Sequence, residues 1–357
     1  MPGPGSCYSF DRAQPLRHKN PLRKTLHTKR TLFLPLLLTG CLLCISWHLY
    51  KNVSANLARQ AITTGFEFLT HEAAFEIGES PISFSAADSY ARALVVGFLN
   101  TLKAGLAGMG VALVLGLAVG MARLSSHSLV SFAAACHVEL LRNVPALLQL
   151  FFWYAILNSL LPSPRHALNP CWGVFLSNRG IMFPALEFHL AESVGGILGG
   201  VSLGWSVPCL AGFNFKGGTT FSLEFTALVL GLGVYTSAFV AEAVRAGITA
   251  IGRDQWEAGK ALGMHPSVVF RRIIFPQALR VIIPPVTGLM LGLMKNSSLA
   301  VAIGYPDFLS IGNTAINQTG QVVEGVMIIM VVYLALSLVT SFAMKKYDAY
   351  ISKGWIG

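Results

Sequence analysis

The sequence predicts an all-α membrane protein with six transmembrane helices. Of its 357 residues, 54% are hydrophobic and only 12% are charged, whereas a soluble domain carries about 25% charged residues. The mean hydropathy is correspondingly high, at +0.60. Six separate segments reach or approach the roughly 20 apolar residues that a membrane-spanning helix needs. The same composition excludes a disordered, collagen-like or coiled-coil chain and a disulfide-rich secreted module.

The six candidate spans are apolar along almost their whole length. They are residues 31–50, 94–122, 143–162, 225–244, 280–302 and 325–344. A seventh segment, residues 193–215, is uncharged but contains six glycines. Glycine-rich backbone is poorly suited to a spanning helix. We therefore predict that this seventh segment is re-entrant or interfacial.

The distribution of basic residues predicts the orientation. With the N-terminus inside, the inner segments hold 18 of the 26 lysines and arginines and the outer segments hold 6, as the positive-inside rule requires. A seventh crossing would break this arrangement. The net charge of +10 is thus explained by topology and by attraction to anionic lipids, and nucleic acid is not expected as a partner.

This topology divides the chain into five parts. They are a basic cytoplasmic N-terminus (1–30), an N-terminal transmembrane helix (31–50), an outer, periplasmic segment (51–90), a core of five helices (91–348) and a cytoplasmic tail (349–357). Within the core, residues 161–224 form an outer insertion and residues 245–280 form a cytoplasmic loop. Both termini are predicted to be cytoplasmic.

The cytoplasmic loop predicts two short helices. Residues 255–262 favour a first helix, and Gly263 is suited to end it in a left-handed conformation. Pro266 is placed to begin a second helix and Pro276 to end it. The small side chains near Gly259 leave one surface that another protein can approach closely.

The spacing within this loop resembles the EAA signature of ATP-binding cassette (ABC) importer permeases. Glu257-Ala258-Gly259 is followed by three residues, a glycine, nine residues, an isoleucine, one residue and Phe275-Pro276. Gly259 replaces a third alanine and Phe275 replaces a leucine. The resemblance implies that the loop is the coupling helix that docks on an ATPase. The implied coupling residues are Trp256, Glu257, Ala258, Gly259, Ala261, Gly263 and Pro276.

Other segments are similar to the polar amino acid (histidine/glutamine type) permease family. These segments are 97–102, 123–125, 139–149, 235–247 and 295–299, while 64–69 and 212–218 resemble the branch that serves general or acidic amino acids. The resemblance implies a type I ABC importer (MetI-like) core of five helices plus one N-terminal helix. It further implies a permease of polar L-amino acids in a bacterial inner membrane, either for glutamate, glutamine, aspartate and asparagine or for a broader range.

The same resemblance implies partners and the absence of enzymatic activity in this chain. The expected partners are a second permease subunit, identical or different, two copies of a separate ATPase that binds ATP and Mg²⁺, and a periplasmic amino-acid-binding protein. The sequence has no P-loop, no supportable catalytic arrangement and no metal motif. We therefore expect no catalytic residue, metal or cofactor in this chain.

Polar residues inside the spans are candidates for the substrate pathway, because such residues are costly in a membrane. Glu242 and Arg245 are spaced for a gate or for a helix-end ion pair, and Glu139 and Arg142 repeat that spacing. The run from Lys295 to Ser298 suits either a substrate carboxylate or interhelical hydrogen bonds. The candidate pathway residues are Tyr235, Thr236, Glu242, Lys295, Asn296, Ser297 and Ser298.

Two alternatives remain for the function. An ABC permease for another small solute would share the loop signature. An ion-coupled secondary transporter would also be apolar and helical, but it predicts inverted repeats and buried acidic ion sites. It gives no reason for the pattern from Glu257 to Pro276.

Overall fold

The computed structural model describes residues 21–59, 65–190, 201–212 and 214–353. The chain divides into two units, Met1–Thr64 and Gly65–Gly357. The first unit holds helix α1 (Pro21–Arg59), which has 39 residues and contains the predicted span 31–50. Large apolar side chains along α1, including Leu42 and Trp47, are exposed.

The second unit is mainly helical, and its helices are numbered in the order in which they occur along the chain. They are α2 (Tyr90–Arg123), α3 (Ser128–Asn143), α4 (Ala146–Leu160), α5 (Leu223–Thr249), α6 (Arg253–Ala261), α7 (Pro266–Val269), α8 (Phe275–Asn296), α9 (Phe308–Thr319) and α10 (Val322–Lys353). A π-helical turn (Phe270–Ile274) joins α7 to α8, and a 3₁₀ turn (Ser297–Ile303) continues α8.

Four stretches of helix in the described residues are long and apolar enough to cross a membrane. They are α2, α5, the run Pro266–Ile303, and α10 from Val322 to Tyr347. Helices α3 and α4 meet at an angle of 109° and make a fifth candidate if the bent pair counts as one span.

The bend between α3 and α4 follows from a proline. Pro145 disfavours helical backbone in the residue before it, and Val144 is extended, with ψ at 127°. Helix α4 therefore begins at Ala146 rather than at the predicted position 143. Its 15 residues span only about 22 Å.

Helices α2 and α5 pack closely through small residues, and α2 carries an alanine or glycine at every fourth position of its contact face. The repeat residues Ala104, Gly108, Ala112, Gly116 and Gly120 are all buried. A Cβ atom on Gly116 would lie 2.5 Å from the Cβ of Val240, and one on Gly120 would lie 2.8 Å from that of Val244. Larger side chains at these positions would force the two helices apart.

The all-α prediction is wrong for the outer insertion, which contains eight short strands. They are β1 (Leu168–Cys171), β2 (Val174–Ser177), β3 (Gly180–Phe183), β4 (Ala185–Leu190), β5 (Val201–Ser206), β6 (Cys209–Ala211), β7 (Asn214–Lys216) and β8 (Thr219–Phe221). Strands β1, β2, β3 and β8 form one antiparallel sheet in that order, and β4–β5 and β6–β7 form separate pairs.

Segment 193–215, which is predicted to be re-entrant or interfacial, forms strands where it is described. Residues 201–212 and 214–215 contribute to two antiparallel pairs, and residues 193–200 lie outside the described residues. Turns in this insertion need glycine, because Gly180 has φ +132° and a Cβ there would lie 2.2 Å from the carbonyl oxygen of Phe221. The strand pairs satisfy backbone N–H and C=O groups of this insertion.

The outer segment before α2 packs against the helical core. Phe68 is buried in a cluster with residues of α2 and α9, including Tyr90 and Phe308. The backbone N–H of Gly65 donates to the Glu324 carboxylate at 2.9 Å. The Asn100 amide nitrogen donates to the carbonyls of Glu79 and Pro306, at 2.8 and 2.9 Å. The segment is therefore folded and packs directly on the helical core.

Candidate functional site

Helix α6, in the loop 245–280, ends as the sequence predicts. Gly263 has φ +71°, a conformation that favours glycine. Its N–H donates to the carbonyl of Lys260 at 2.9 Å, and the N–H of Met264 donates to that of Gly259 at 3.1 Å. This pair of bonds is a Schellman motif, which satisfies carbonyls at the helix end.

Gly259 holds α6 against α7. It is buried, and a Cβ atom there would lie 2.6 Å from Cγ2 and 2.9 Å from Cγ1 of Val269. Helix α7 begins at Pro266, as predicted, and the His265 ring nitrogen Nδ1 accepts a hydrogen bond from the Ser267 N–H at 3.4 Å. The close contact gives a physical reason for glycine where the EAA signature usually has alanine.

Pro276 does not end the second helix, contrary to the prediction. The chain passes from α7 through a π-helical turn directly into α8, with Pro276 in the first turn of α8. The N–H of Phe275 donates to the carbonyl of Phe270, five residues earlier. The wider turn changes the hydrogen-bond pattern just before the proline, so that Pro276 lies in the first turn of α8. N–H groups in the first turn have no partner within the helix, so the missing N–H of proline is not a loss there.

The loop presents an apolar groove. The rings of Trp256 and Phe270 stack with centroids 6.3 Å apart, and Phe270 contacts Phe275 at 5.8 Å. Together with Pro266, Ser267 and Arg271, these rings line a groove of about 590 Å³. Such a groove is typical of a protein-docking surface.

The outer face of α6 is exposed beside this groove. Glu257, Ala258 and Ala261 are exposed, and Leu262 is 78% exposed. Leu262 was not among the predicted coupling residues. The sequence feature that could have identified it is a large apolar residue directly before the glycine that ends the helix.

The structure places Glu242 in an ion-pair cluster between α2 and α5. Its Oε1 accepts from Nη2 of Arg245 at 2.6 Å, and its Oε2 accepts from Nη1 of Arg123. Arg123 ends α2, so this contact ties the inner ends of the two helices together. Sequence spacing indicated the Arg245 pair but not Arg123, whose partner is 119 residues away.

The other predicted pathway residues lie in two groups. Tyr235 and Thr236 are on α5, where Thr236 is buried and the Tyr235 ring contacts Phe239 at 5.1 Å. Residues 295–298 span the junction between α8 and the following 3₁₀ turn.

The serines of the second group bond within their own helix. The Ser297 hydroxyl donates to the carbonyl of Met294 at 2.7 Å, and that of Ser298 donates to the carbonyl of Lys295 at 2.9 Å. Lys295 is exposed and Asn296 is partly buried. The serine hydroxyls therefore do not form the interhelical bonds that were one of the two interpretations.

A second groove lies beside Glu242 and was missed from the sequence. It has a volume of about 500 Å³ and runs along α5 and α8. Its polar members are Arg142 and Glu242, and Phe239, Pro285 and Leu289 are among its apolar members. The Arg142 guanidinium carbon lies 5.4 Å from the centroid of the Phe239 ring, so Arg142 faces an aromatic ring rather than forming the predicted pair with Glu139.

At the outer end, Lys103 of α2 forms an ion pair with Glu79 at 2.5 Å. The same ammonium lies 4.9 and 4.5 Å from the ring centroids of Phe221 and Phe225. This arrangement stabilises a charge inside a candidate span. Nearby, burial raises the pKa of Asp307 to about 6, and its Oδ1 accepts from the N–H of Ser310 at 2.8 Å.

The described residues contain no group of three or more histidine, cysteine, aspartate or glutamate side chains that could hold a metal ion.

The comparisons with known proteins agree with one another. The family model "Binding-protein-dependent transport system inner membrane component" matches residues 112–353. The general L-amino acid transport system permease protein AapQ of Rhizobium johnstonii is 38% identical over 366 residues, covering 90% of this chain and 92% of that protein. The putative amino-acid ABC transporter permease protein YhdX of Escherichia coli is 40% identical over 355 residues, covering 86% and 90%.

A third relative and a solved structure extend these matches. The glutamate/glutamine/aspartate/asparagine transport system permease protein BztB of Rhodobacter capsulatus is 32% identical over 385 residues, covering 85% of this chain and 89% of that protein. The crystal structure of an amino acid ABC transporter with histidines has a TM-score of 0.53 at 22% identity, covering 73% of this chain and 95% of that one. This last likeness shows a shared fold.

Proposed function

Because the chain belongs to the family of binding-protein-dependent transport system inner membrane components, we propose that its α6 loop couples transport to ATP hydrolysis on a separate chain. The protein is the permease subunit of an ABC importer for amino acids, a transporter subunit rather than an enzyme. The observation that carries the proposal is the position of the exposed helix α6. Gly259 packs α6 against α7, and the helical run that begins with α7 at Pro266 continues to Ile303.

The coupling mechanism follows from this connection. An ATPase that binds Trp256, Glu257, Ala258, Ala261 and the adjacent groove moves α6 and α7 as one body, because the Gly259–Val269 contact leaves no free space between them. The Schellman turn at Gly263 and the continuous backbone at Pro276 pass that movement to α8. Rocking of α8 against α5 then switches the pathway between inward-facing and outward-facing states.

The proposed topology has six spans in a bacterial inner membrane, with both termini in the cytoplasm. The N-terminal helix 31–50 is one of these spans, and the core at 91–348 supplies the other five. Residues 1–30 and 349–357 are then cytoplasmic, as is the coupling loop 245–280. Segment 51–90 and the insertion 161–224 are then periplasmic. The excess of basic residues on the inner segments supports this orientation.

The proposed assembly contains a second permease subunit, two copies of the ATPase and a periplasmic amino-acid-binding protein. ATP and Mg²⁺ are bound by the ATPase, and this chain needs no cofactor of its own. The exposed groove along Trp256, Phe270 and Phe275 supports a docked protein at the cytoplasmic side.

The proposed substrates are polar L-amino acids. The printed functions of the relatives, general L-amino acid transport and glutamate/glutamine/aspartate/asparagine transport, support this class. The pathway is proposed to pass the polar residues of α5 and of the α8 junction. These residues are Tyr235, Thr236, Glu242, Lys295, Asn296, Ser297 and Ser298.

Two substitutions in the loop test the coupling. Glu257→Lys reverses a charge on the exposed face of α6, and Gly263→Trp strains the left-handed turn that ends it. In proteoliposomes with the partner chains, we expect ATP hydrolysis to continue while amino acid uptake falls at least tenfold. Arg179→Gln, on the outer insertion, is the matched control. Uptake at the normal rate in both loop variants would contradict the assignment.

A further inference from the structure

We infer that Arg142 binds the carboxylate group of the transported amino acid in the groove between α5 and α8. This inference rests on the proposed amino acid transport. It adds a binding residue that the sequence pattern did not assign to the pathway.

Phe239 fixes the orientation of the Arg142 side chain. The guanidinium carbon lies 5.4 Å from the ring centroid, within the range of a cation–π contact. A guanidinium held by its face keeps its N–H donors at its edge, where they match the two oxygens of a carboxylate. Arg142 is in the last turn of α3 and directly precedes the bend to α4, so the backbone also holds it in one place.

The charges around the groove leave Arg142 available for an anion. Both Glu242 oxygens already accept hydrogen bonds from Arg245, and Oε2 also accepts one from Arg123. Arg142 also interacts electrostatically with Glu242, but among the described residues no carboxylate lies within ion-pair distance of it. The positive charges of Arg123, Arg142 and Arg245 therefore outnumber the negative charge of Glu242. This excess of positive charge favours a negatively charged ligand.

The groove has the size and surroundings of a small-molecule site. Its volume of about 500 Å³ lies in the roughly 300–1,000 Å³ range of such sites. Apart from Arg142 and Glu242, its walls are apolar and include Ala246, Val281 and Leu289. Arg142 itself is exposed, so a carboxylate that enters the groove can reach its guanidinium.

The groove is also close to the coupling loop along the chain. Val281 of the groove wall is one and a half helical turns beyond Pro276, on the same helix that begins at the loop. A movement of α8 therefore changes the groove directly, which provides a means to bind and release the ligand during the transport cycle.

The test uses the assembled transporter in proteoliposomes with its binding protein, and L-glutamate and L-glutamine as probes. We expect Arg142→Gln to lower uptake of both probes at least tenfold. Arg142→Lys keeps the charge but loses the paired donors, so we expect KM to rise several-fold with a smaller change in the maximal rate. Arg179→Gln, an exposed arginine of the outer insertion, should leave both quantities unchanged.

The outcomes separate this inference from the proposed function. If the wild type takes up the probes and both Arg142 variants match its KM and maximal rate, the inference is overturned and the function stands. If the wild type takes up neither probe while its assembly hydrolyses ATP, amino acid transport fails and the inference fails with it. If Arg142→Gln does not assemble, the KM of Arg142→Lys decides: a wild-type value overturns the inference.

Discussion

Gly259 and Val269 are in such close contact that a single methyl group does not fit between them. A Cβ on residue 259 would lie 2.6 Å from Cγ2 of Val269, well inside van der Waals distance. This contact joins the exposed helix α6 to the helix that leads into the membrane. It is the structural basis of the proposed coupling.

The first prediction concerns this contact. Gly259→Ala should lower the thermal midpoint of the purified protein and reduce uptake several-fold, because overpacking costs about 1–3 kcal/mol. Val269→Ala in the same chain should restore both, since it removes the two methyl groups that the new Cβ meets.

Gly110→Ala is the matched control for this pair. Gly110 is in helix α2 and has open space around it, so alanine there should be neutral or slightly stabilising. If Gly259→Ala behaves like Gly110→Ala in both measurements, the contact does not constrain the loop.

The second prediction concerns the link between Arg123 and Glu242. A double-mutant cycle with Arg123→Gln and Glu242→Gln should give a coupling energy of about 1 kcal/mol or more, because the pair joins α2 to α5 and is largely shielded from solvent. The measurement is the unfolding midpoint in detergent for the wild type, both single variants and the double variant.

An exposed ion pair provides the comparison. Arg92 and Asp88 are 3.3 Å apart, and the Arg92 side chain is 44% exposed. The same cycle with Arg92→Gln and Asp88→Asn should give only about 0.2–0.5 kcal/mol. Equal coupling energies for the two pairs would show that Glu242 does not hold the helices together.

The third prediction concerns pH and Asp307. Burial raises the pKa of Asp307 to about 6 from an ordinary value of 3.8. Between these two values the folded state binds more protons than the unfolded state, so stability falls as pH rises through this window. The loss contributed by this group is at most about 3 kcal/mol.

Asp307→Asn isolates this effect. Asparagine keeps an oxygen that can accept from the N–H of Ser310 at the start of α9, but it does not titrate. The wild type should therefore lose more thermal stability than Asp307→Asn between pH 4.5 and pH 7. Parallel pH profiles for the two proteins would show that another group causes the dependence.

Much of the helical core could be predicted from the sequence, because long apolar runs and small-residue repeats are local signals. The end of α6 at Gly263 follows the predicted pattern. Arg123 as a partner of Glu242 could not be predicted, since spacing indicates only neighbours one helical turn away.

The errors have local physical causes. The π-helical turn before Pro276 changes which backbone N–H groups donate hydrogen bonds within the helix, so that the proline is tolerated. No residue pattern predicts such a turn. The strands within segment 193–215 were not predicted, because the pairing of β5 with β4 and of β6 with β7 is not visible in its uncharged, glycine-rich composition. Helix α9 was not predicted, because its 12 residues are too few for a span.

The most direct test of the coupling proposal is photocrosslinking from α6 in the assembled transporter. A p-benzoylphenylalanine at Ala258, on the exposed face of α6, should crosslink to the ATPase subunit, and the same group at Arg179 on the outer insertion should not. The crosslink at position 258 should persist during ATP turnover, because the loop moves with the ATPase. Absence of an ATPase crosslink at position 258, in a complex that still transports amino acids with ATP, would contradict the account.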